Sequence, residues 1–185
     1  AQQFFDAFEL ARKCGFDNIN TDLIAGLPTD TPESFKNSLD SIVRLNAECI
    51  TVHTLCMKRA SRLTTEGVTL DLQQARDARE MLAYTQNILG QNEYIPYYMY
   101  RQSRMVGNLE NVGWSKKGFE SLYNVYVMDE THTILACGSG GVTKLKRNNP
   151  DYLERIFNFK YPYEYIDRFD ELIQRKSGIM QFYGQ

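Results

Sequence analysis

INTDLIAGLPTDTPESF, residues 19–35, decides the fold. It reads as a strand from Ile19 to Ala25, a tight turn at Gly26-Leu27-Pro28, and a helix start. Thr31 is placed as N-cap and Pro32 at the first helical position. Asp30 and Glu33 suit the positive end of the helix dipole. Two polar residues, Asn20 and Asp22, interrupt the strand. A carboxylate inside an apolar strand is costly to bury unless something hydrogen-bonds to it. Strand ends in α/β proteins are also where ligands collect. Two readings of Asp22 stand level: an acceptor for ligand hydroxyls, or a buried carboxylate satisfied by backbone amides of the next loop.

Outward from this stretch the pattern continues. On the N-terminal side, Phe4, Phe5, Phe8, Leu10 and Ala11 form an apolar face at helical spacing, and Gly15 stops the helix. The chain starts directly on this helix, without a start methionine, which suggests a piece of a larger protein. On the other side, Phe35, Leu39, Ile42 and Val43 carry the second helix to about Leu45, with Asn46 as terminator. CITVHTL, residues 49–55, is rich in β-branched residues and reads as a second strand. Helix, strand, helix, strand in under 60 residues is the rhythm of a parallel α/β sheet. Met57 to Thr69 reads as a loop, and a long helix follows from about Leu72 to Gly90.

The character then changes. Glu93 to Tyr100 is aromatic and strand-like, and Pro96 makes it an edge or bulged strand. Arg101 to Lys117 reads as a long polar loop. Phe119–Met128 and His132–Cys137 read as two strands around an Asp129-Glu130 turn. Gly138-Ser139-Gly140-Gly141 precedes Val142, and Tyr163 to Lys176 reads as one helix.

Composition sets the outer limits. The chain has 185 residues, 43% hydrophobic and 24% charged, as expected of one globular domain or a large part of one. A net charge of −2 gives no reason to expect a nucleic-acid groove or an anionic membrane as partner. No apolar run is long enough to span a bilayer. Cys14, Cys49, Cys56 and Cys137 form no CxxC pair and read as reduced, buried thiols of a cytosolic protein. No Cys/His spacing resembles a metal site.

Three further groups invite chemistry. The Gly138–Gly141 run allows close backbone approach to a ligand, though it matches no phosphate-binding motif, and a plain loop is the stronger reading. Tyr97, Tyr98 and Tyr100 beside Arg101 and Arg104 suit a planar ring carrying carboxylates, or equally a half-buried edge strand with solvated arginines. His53 reads more readily as a hydrogen-bonded pocket residue than as a catalyst.

INTDLIAGLPTDTPESF, CITVHTL, YxYRQ (residues 98–102), GNLENVG (residues 107–113) and the Gly-rich turn before Thr143-Lys144 together resemble the oxygen-independent coproporphyrinogen III oxidase family of radical S-adenosylmethionine (SAM) enzymes. The last three motifs point to its HemZ-like branch. The resemblance covers nearly the whole chain. It implies the C-terminal half of a partial (β/α)6 barrel, residues 1–92, followed by an α+β segment, residues 93–185, that caps it. It implies SAM and a [4Fe–4S] cluster as cofactors of the whole protein. The cluster-binding CxxxCxxC loop is absent here, so this chain is expected to hold no cluster and to be inactive alone.

The family pattern carries a SAM contact onto Asp22. It carries an adenine-side loop onto Leu55, Cys56 and Met57, and an enclosing turn onto Gly138, Gly140, Gly141 and Val142. The implied reaction removes hydrogen from porphyrinogen propionates and releases carbon dioxide, leaving vinyl groups and giving protoporphyrinogen IX. It needs a reductant for the cluster and a cytoplasmic setting. Propionates favour arginine, which makes Tyr98, Arg101 and Arg104 substrate-side candidates. The alternatives are a heme-binding or heme-chaperone protein on the same fold, or an unrelated α/β binding module.

Overall fold

The computed structural model describes residues 1–56, 71–101, 105–148 and 151–184. They form two compact units, Ala1–Ser121 and Leu122–Gln185. The expected loop at 57–69 lies outside the described residues.

The first unit is an α/β layer structure. Helix α1 spans Gln2–Lys13, strand β1 Asn20–Ala25, helix α2 Pro32–Arg44, strand β2 Cys49–Thr54, helix α3 Leu72–Gln91, strand β3 Tyr94–Tyr100 and strand β4 Asn111–Lys116. The four strands make one sheet in the order β1-β2-β4-β3. β1 and β2 pair in parallel, whereas β4 runs antiparallel to both β2 and β3. The sheet is therefore mixed, and among the described residues it is open, with β1 and β3 at its edges. The split expected after residue 92 falls inside this sheet, just before β3.

Local chemistry explains the elements. The Thr31 hydroxyl accepts from Ser34 N at 3.2 Å, and Pro32 opens α2. Asn46 takes a left-handed φ of 59° and ends it. α3 begins with a reciprocal capping box between Asp71 and Gln74. Gly26, at φ 82°, sits where an added Cβ would stand 3.2 Å from Ala78 Cβ, so the turn after β1 presses its backbone onto α3. One face of the sheet is apolar. Ala25, Ile50, Val52 and Trp114 are buried there against Phe35, Leu39 and Ile42 of α2 and Met81 and Leu89 of α3. Each such large side chain contributes about 1.5–3 kcal/mol of burial energy. α1 behaves differently from its expected apolar face: Phe8 alone is buried, while Leu10 is 60% exposed.

Two expectations fail here. The stretch read as a polar loop contains β4, an interior strand. Asn111 and Gly113 are poor strand formers, yet Asn111 Oδ1 accepts the Thr54 N–H at 2.7 Å and Gly113 makes room for a ring. None of the cysteines is in a disulfide, but only Cys49 is buried; Cys56 is half-buried and Cys14 and Cys137 are exposed.

The second unit comprises helix α4 (Leu122–Asp129), strands β5 (Val142–Asn148) and β6 (Asp151–Phe157), and helices α5 (Pro162–Asp167), α6 (Phe169–Lys176) and α7 (Gly178–Tyr183). β5 and β6 form an antiparallel pair. α4 replaces the first expected strand. Its Val125, Tyr126 and Val127 favour strands, but no residue of it is buried, so no sheet face imposes the extended form. Of the second expected strand only one bridge exists, Ile134 with Lys144. The single expected C-terminal helix breaks at Arg168, which leaves helical geometry at φ −115° and ψ 33°. Phe159 is buried between the guanidinium groups of Arg168 and Arg175, 4.2 and 4.1 Å from its ring centre.

Candidate functional site

The sheet face opposite α2 and α3 is polar and aromatic. Strand alternation puts Asn20 and Asp22 of β1, Thr51 and His53 of β2, Gly113 of β4, and Tyr98 and Tyr100 of β3 on it together. Their side chains form a continuous chain of contacts. Tyr98 OH lies 3.3 Å from Thr51 Oγ1, and Thr51 Oγ1 donates to Asn20 Oδ1 at 3.0 Å. Asn20 Nδ2 donates to Asp22 Oδ1 at 2.7 Å. Asp22 Oδ2 faces His53 Nε2 at 3.7 Å, and His53 Nδ1 meets Tyr100 OH at 3.3 Å. Each oxygen of the carboxylate thus faces a different side-chain nitrogen.

Electrostatics follow from this arrangement. His53 is the leading influence that holds the Asp22 carboxyl below the ordinary 3.8, with Asn20 and Thr51 helping and partial burial opposing. Burial pushes the phenols of Tyr98 and Tyr100 up, so both remain hydrogen-bond donors at neutral pH. Thr51 donates its one proton to Asn20, which leaves Tyr98 as the donor to Thr51. The Tyr98 and Tyr100 rings are nearly parallel, 6° apart in plane with centres 6.4 Å apart. The Asp22 side chain is 58% exposed, and its partners among the described residues are side chains rather than backbone amides. Asp22 also borders a groove of about 640 Å³ along the free edge of β1, lined by Phe4, Phe5, Leu23, Ser34 and Ser38.

The other sequence-derived candidates are placed differently. Leu55 is buried; its N–H donates to Ala25 O at 2.9 Å, and its carbonyl accepts from Val106 N at 3.0 Å. Cys56 bridges to Met105 next to it. Arg101 pairs with Glu110 at 2.7 Å, so an anionic substrate would compete for that guanidinium. Met57 and Arg104 lie outside the described residues. Gly138, Gly140, Gly141 and Val142 belong to the second unit. There Gly140 N donates to Phe159 O at 2.7 Å, and Asn158 N to Gly141 O at 2.9 Å. Sequence reasoning passed over Thr51 and Gly113. The alternation of Cys49, Thr51 and His53 in β2 carries the signal for the first; nothing local marks the second.

A half-exposed carboxylate beside flat rings fits the nucleoside part of SAM, whose ribose offers two adjacent hydroxyls. Among the described residues no three His, Cys, Asp or Glu side chains stand together as metal ligands. Among the same residues no helix is long and apolar enough to cross a membrane.

The chain is 35% identical over 180 residues to the oxygen-independent coproporphyrinogen-III oxidase-like protein HemZ of Bacillus subtilis, a match over 97% of this chain and 36% of that protein. The chain belongs to the oxygen-independent coproporphyrinogen-III oxidase-like family. Another relative of this family member is the heme chaperone HemW of Lactococcus lactis, 30% identical over 156 residues, covering 80% of this chain and 37% of that one. The chain therefore spans little more than a third of either relative. Its fold matches the radical SAM enzyme coproporphyrinogen III oxidase (HemN) of Escherichia coli with a TM-score of 0.60 and 19% identity, over 91% of this chain and 37% of that one. No family model matches the chain.

Proposed function

We propose that the polar sheet face binds the nucleoside part of SAM, and that this chain supplies that surface to a radical SAM protein of porphyrin metabolism. The observation that carries the reading is the half-exposed Asp22 carboxylate, with Asn20 Nδ2 at one oxygen and His53 Nε2 facing the other. Vicinal ribose hydroxyls donate to such a group as they do to the acidic residue of a dinucleotide site. Tyr98 and Tyr100 offer flat faces for a planar group, and the backbone around Leu55 and Cys56 lies beyond the end of β2, where adenine would be held. SAM supplies hydrogen-abstracting chemistry when it is reduced at a cluster. This chain's part is to orient the nucleoside.

The reaction of the whole protein, on this reading, is oxidative decarboxylation of coproporphyrinogen III propionates to vinyl groups, in the cytoplasm, with an external reductant for the cluster and an acceptor for the one electron left after hydrogen abstraction and loss of carbon dioxide. Tyr98 with Arg101 and Arg104 is the proposed substrate side, which requires the Arg101–Glu110 pair to open. A second reading, heme binding without turnover, draws on the likeness to a heme chaperone.

Titration calorimetry of the chain with adenosine tests the site. Binding by the unmodified chain, and its loss in Asp22→Asn with an unchanged circular dichroism spectrum, is the expected result. Equal affinity in Asp22→Asn would overturn it. For the whole protein with its cluster reduced, carbon dioxide release from coproporphyrinogen III supports the first reading. Tight hemin binding without release supports the second.

A further inference from the structure

We propose that His53 is a positioning residue of this site: held by Tyr100, it presents Nε2–H to Asp22 Oδ2 and fixes the carboxylate for a vicinal diol. The proposal rests on the nucleoside reading above and deepens it.

A carboxylate that is 58% exposed turns easily about its terminal torsion unless both oxygens are restrained. Asn20 Nδ2, at 2.7 Å, restrains Oδ1. His53 is the group that faces Oδ2, at 3.7 Å. That separation exceeds a hydrogen bond. Functional hydrogen bonds commonly stand long without ligand and tighten when it arrives.

A neutral imidazole donates from one nitrogen and accepts at the other. Tyr100 OH lies 3.3 Å from Nδ1, and its phenol stays protonated because burial raises it. In the proposed arrangement this hydroxyl donates to Nδ1, which places the ring proton on Nε2, the nitrogen that faces Asp22. The Tyr100 ring meets the imidazole edge-on, 6.4 Å away and tilted by 69°, and limits its rotation. Asn20 then meets one carboxylate oxygen and His53 the other, with Thr51 also acting on the group, and the exposed side of the carboxylate is left to accept from two adjacent hydroxyls. His53 touches Asp22 and not the reacting atoms, so its role is positional.

The test combines tautomer and ligand selectivity. The chain has two histidines, so ¹⁵N imidazole spectra with His53→Gln as the assignment control resolve His53 directly. The expected spectrum shows the Nε2–H form, and Tyr100→Phe is expected to mix it with the Nδ1–H form. His53→Ala is expected to weaken adenosine about tenfold while leaving 2′,3′-dideoxyadenosine unchanged, and His53→Gln to restore part of the loss. An Nδ1–H tautomer in the unmodified chain overturns the proposal. So does a diol preference that survives His53→Ala, or an equal loss for both nucleosides. If the unmodified chain itself does not distinguish the two nucleosides, the underlying diol reading fails, and this proposal fails with it.

Discussion

The Tyr98 ring lies across Gly113 so closely that a methyl group on that glycine would stand 1.8 Å from Cε1 of the ring. Gly113 pairs directly with Tyr98 in the β3–β4 ladder, and the ring's hydroxyl reaches on to Thr51 of β2. The absent side chain lets one aromatic residue span the sheet from its edge strand. Gly113→Ala must therefore expel the ring or shift the strand. A loss of about 1–3 kcal/mol in urea unfolding is expected, the usual cost of overpacking. Tyr98→Ala removes the clash, so the double variant should be more stable than the two single losses added together. Strict additivity would show that the ring does not depend on the glycine.

Tyr94 makes the protein sensitive to alkali. Its hydroxyl donates to the Ala47 carbonyl, and burial, aided by Glu48, pushes its phenol up to about 12. The folded value exceeds the ordinary 10, so this contribution is fully present below pH 10. It declines as pH rises from there through about 12. A shift of that size corresponds to about 2–3 kcal/mol. Tyr94→Phe should lose about 1 kcal/mol at pH 7 and show a flatter stability profile between pH 10 and 12. Chemical unfolding across that range measures it, and parallel profiles would refute it.

Much of this architecture was legible in residues 19–55, because caps, turn residues and apolar periodicity agree there. Thr31, Pro32, Gly26 and Asn46 each act locally, and each acts as its type suggests. The polar face was half legible. Asn20 and Asp22 stand out in an apolar strand, whereas Thr51 and His53 gain meaning only once β2 is registered beside β1. β4 was hidden because its residues are chosen by partners far along the chain: Asn111 by the Thr54 amide and Gly113 by the Tyr98 ring. The second unit was misread for a related reason. In its hairpin Lys144 stands opposite Arg155, a like-charge pair that argues against strand pairing until Glu130 is seen within 2.8 Å of both. Charges balanced across long separations leave no periodic signature.

Asp22 sets the acid limit of the proposed site. Its carboxyl is held below 3.8, chiefly by His53. Protonation of Asp22 should weaken adenosine binding only below the ordinary carboxylate range. In His53→Gln the Asp22 midpoint should lie higher, since the neighbour that lowers it most is gone. An NMR titration of the Asp22 side chain checks both statements. An Asp22 midpoint at or above 3.8 in the unmodified chain would contradict them.

Glu48 governs acid stability of the fold as a whole. It is 8% exposed, at the turn before β2. Burial alone would raise its carboxyl. Arg12, with Nη2 at 2.7 and 2.8 Å from the two oxygens, and the Ile19 N–H at 3.0 Å outweigh that and hold it below the ordinary 4.5. The pair ties α1 to the start of both parallel strands. A lowered carboxyl stabilises the folded state above the unfolded value, so the contribution is complete above about pH 4.5 and is lost as pH falls through the folded value. Arg12→Ala leaves a buried carboxylate with the backbone amide as its remaining donor, and should cost about 1–3 kcal/mol at pH 7. Glu48→Gln in the Arg12→Ala background removes the uncompensated charge and should recover part of that loss. The single variant should also lose less of its remaining stability between pH 5 and 3 than the unmodified chain, because the linkage that drives the loss has gone. Thermal unfolding at several pH values measures these slopes. Identical slopes with and without Arg12 would show that α1 is held by Phe8 and not by this ion pair.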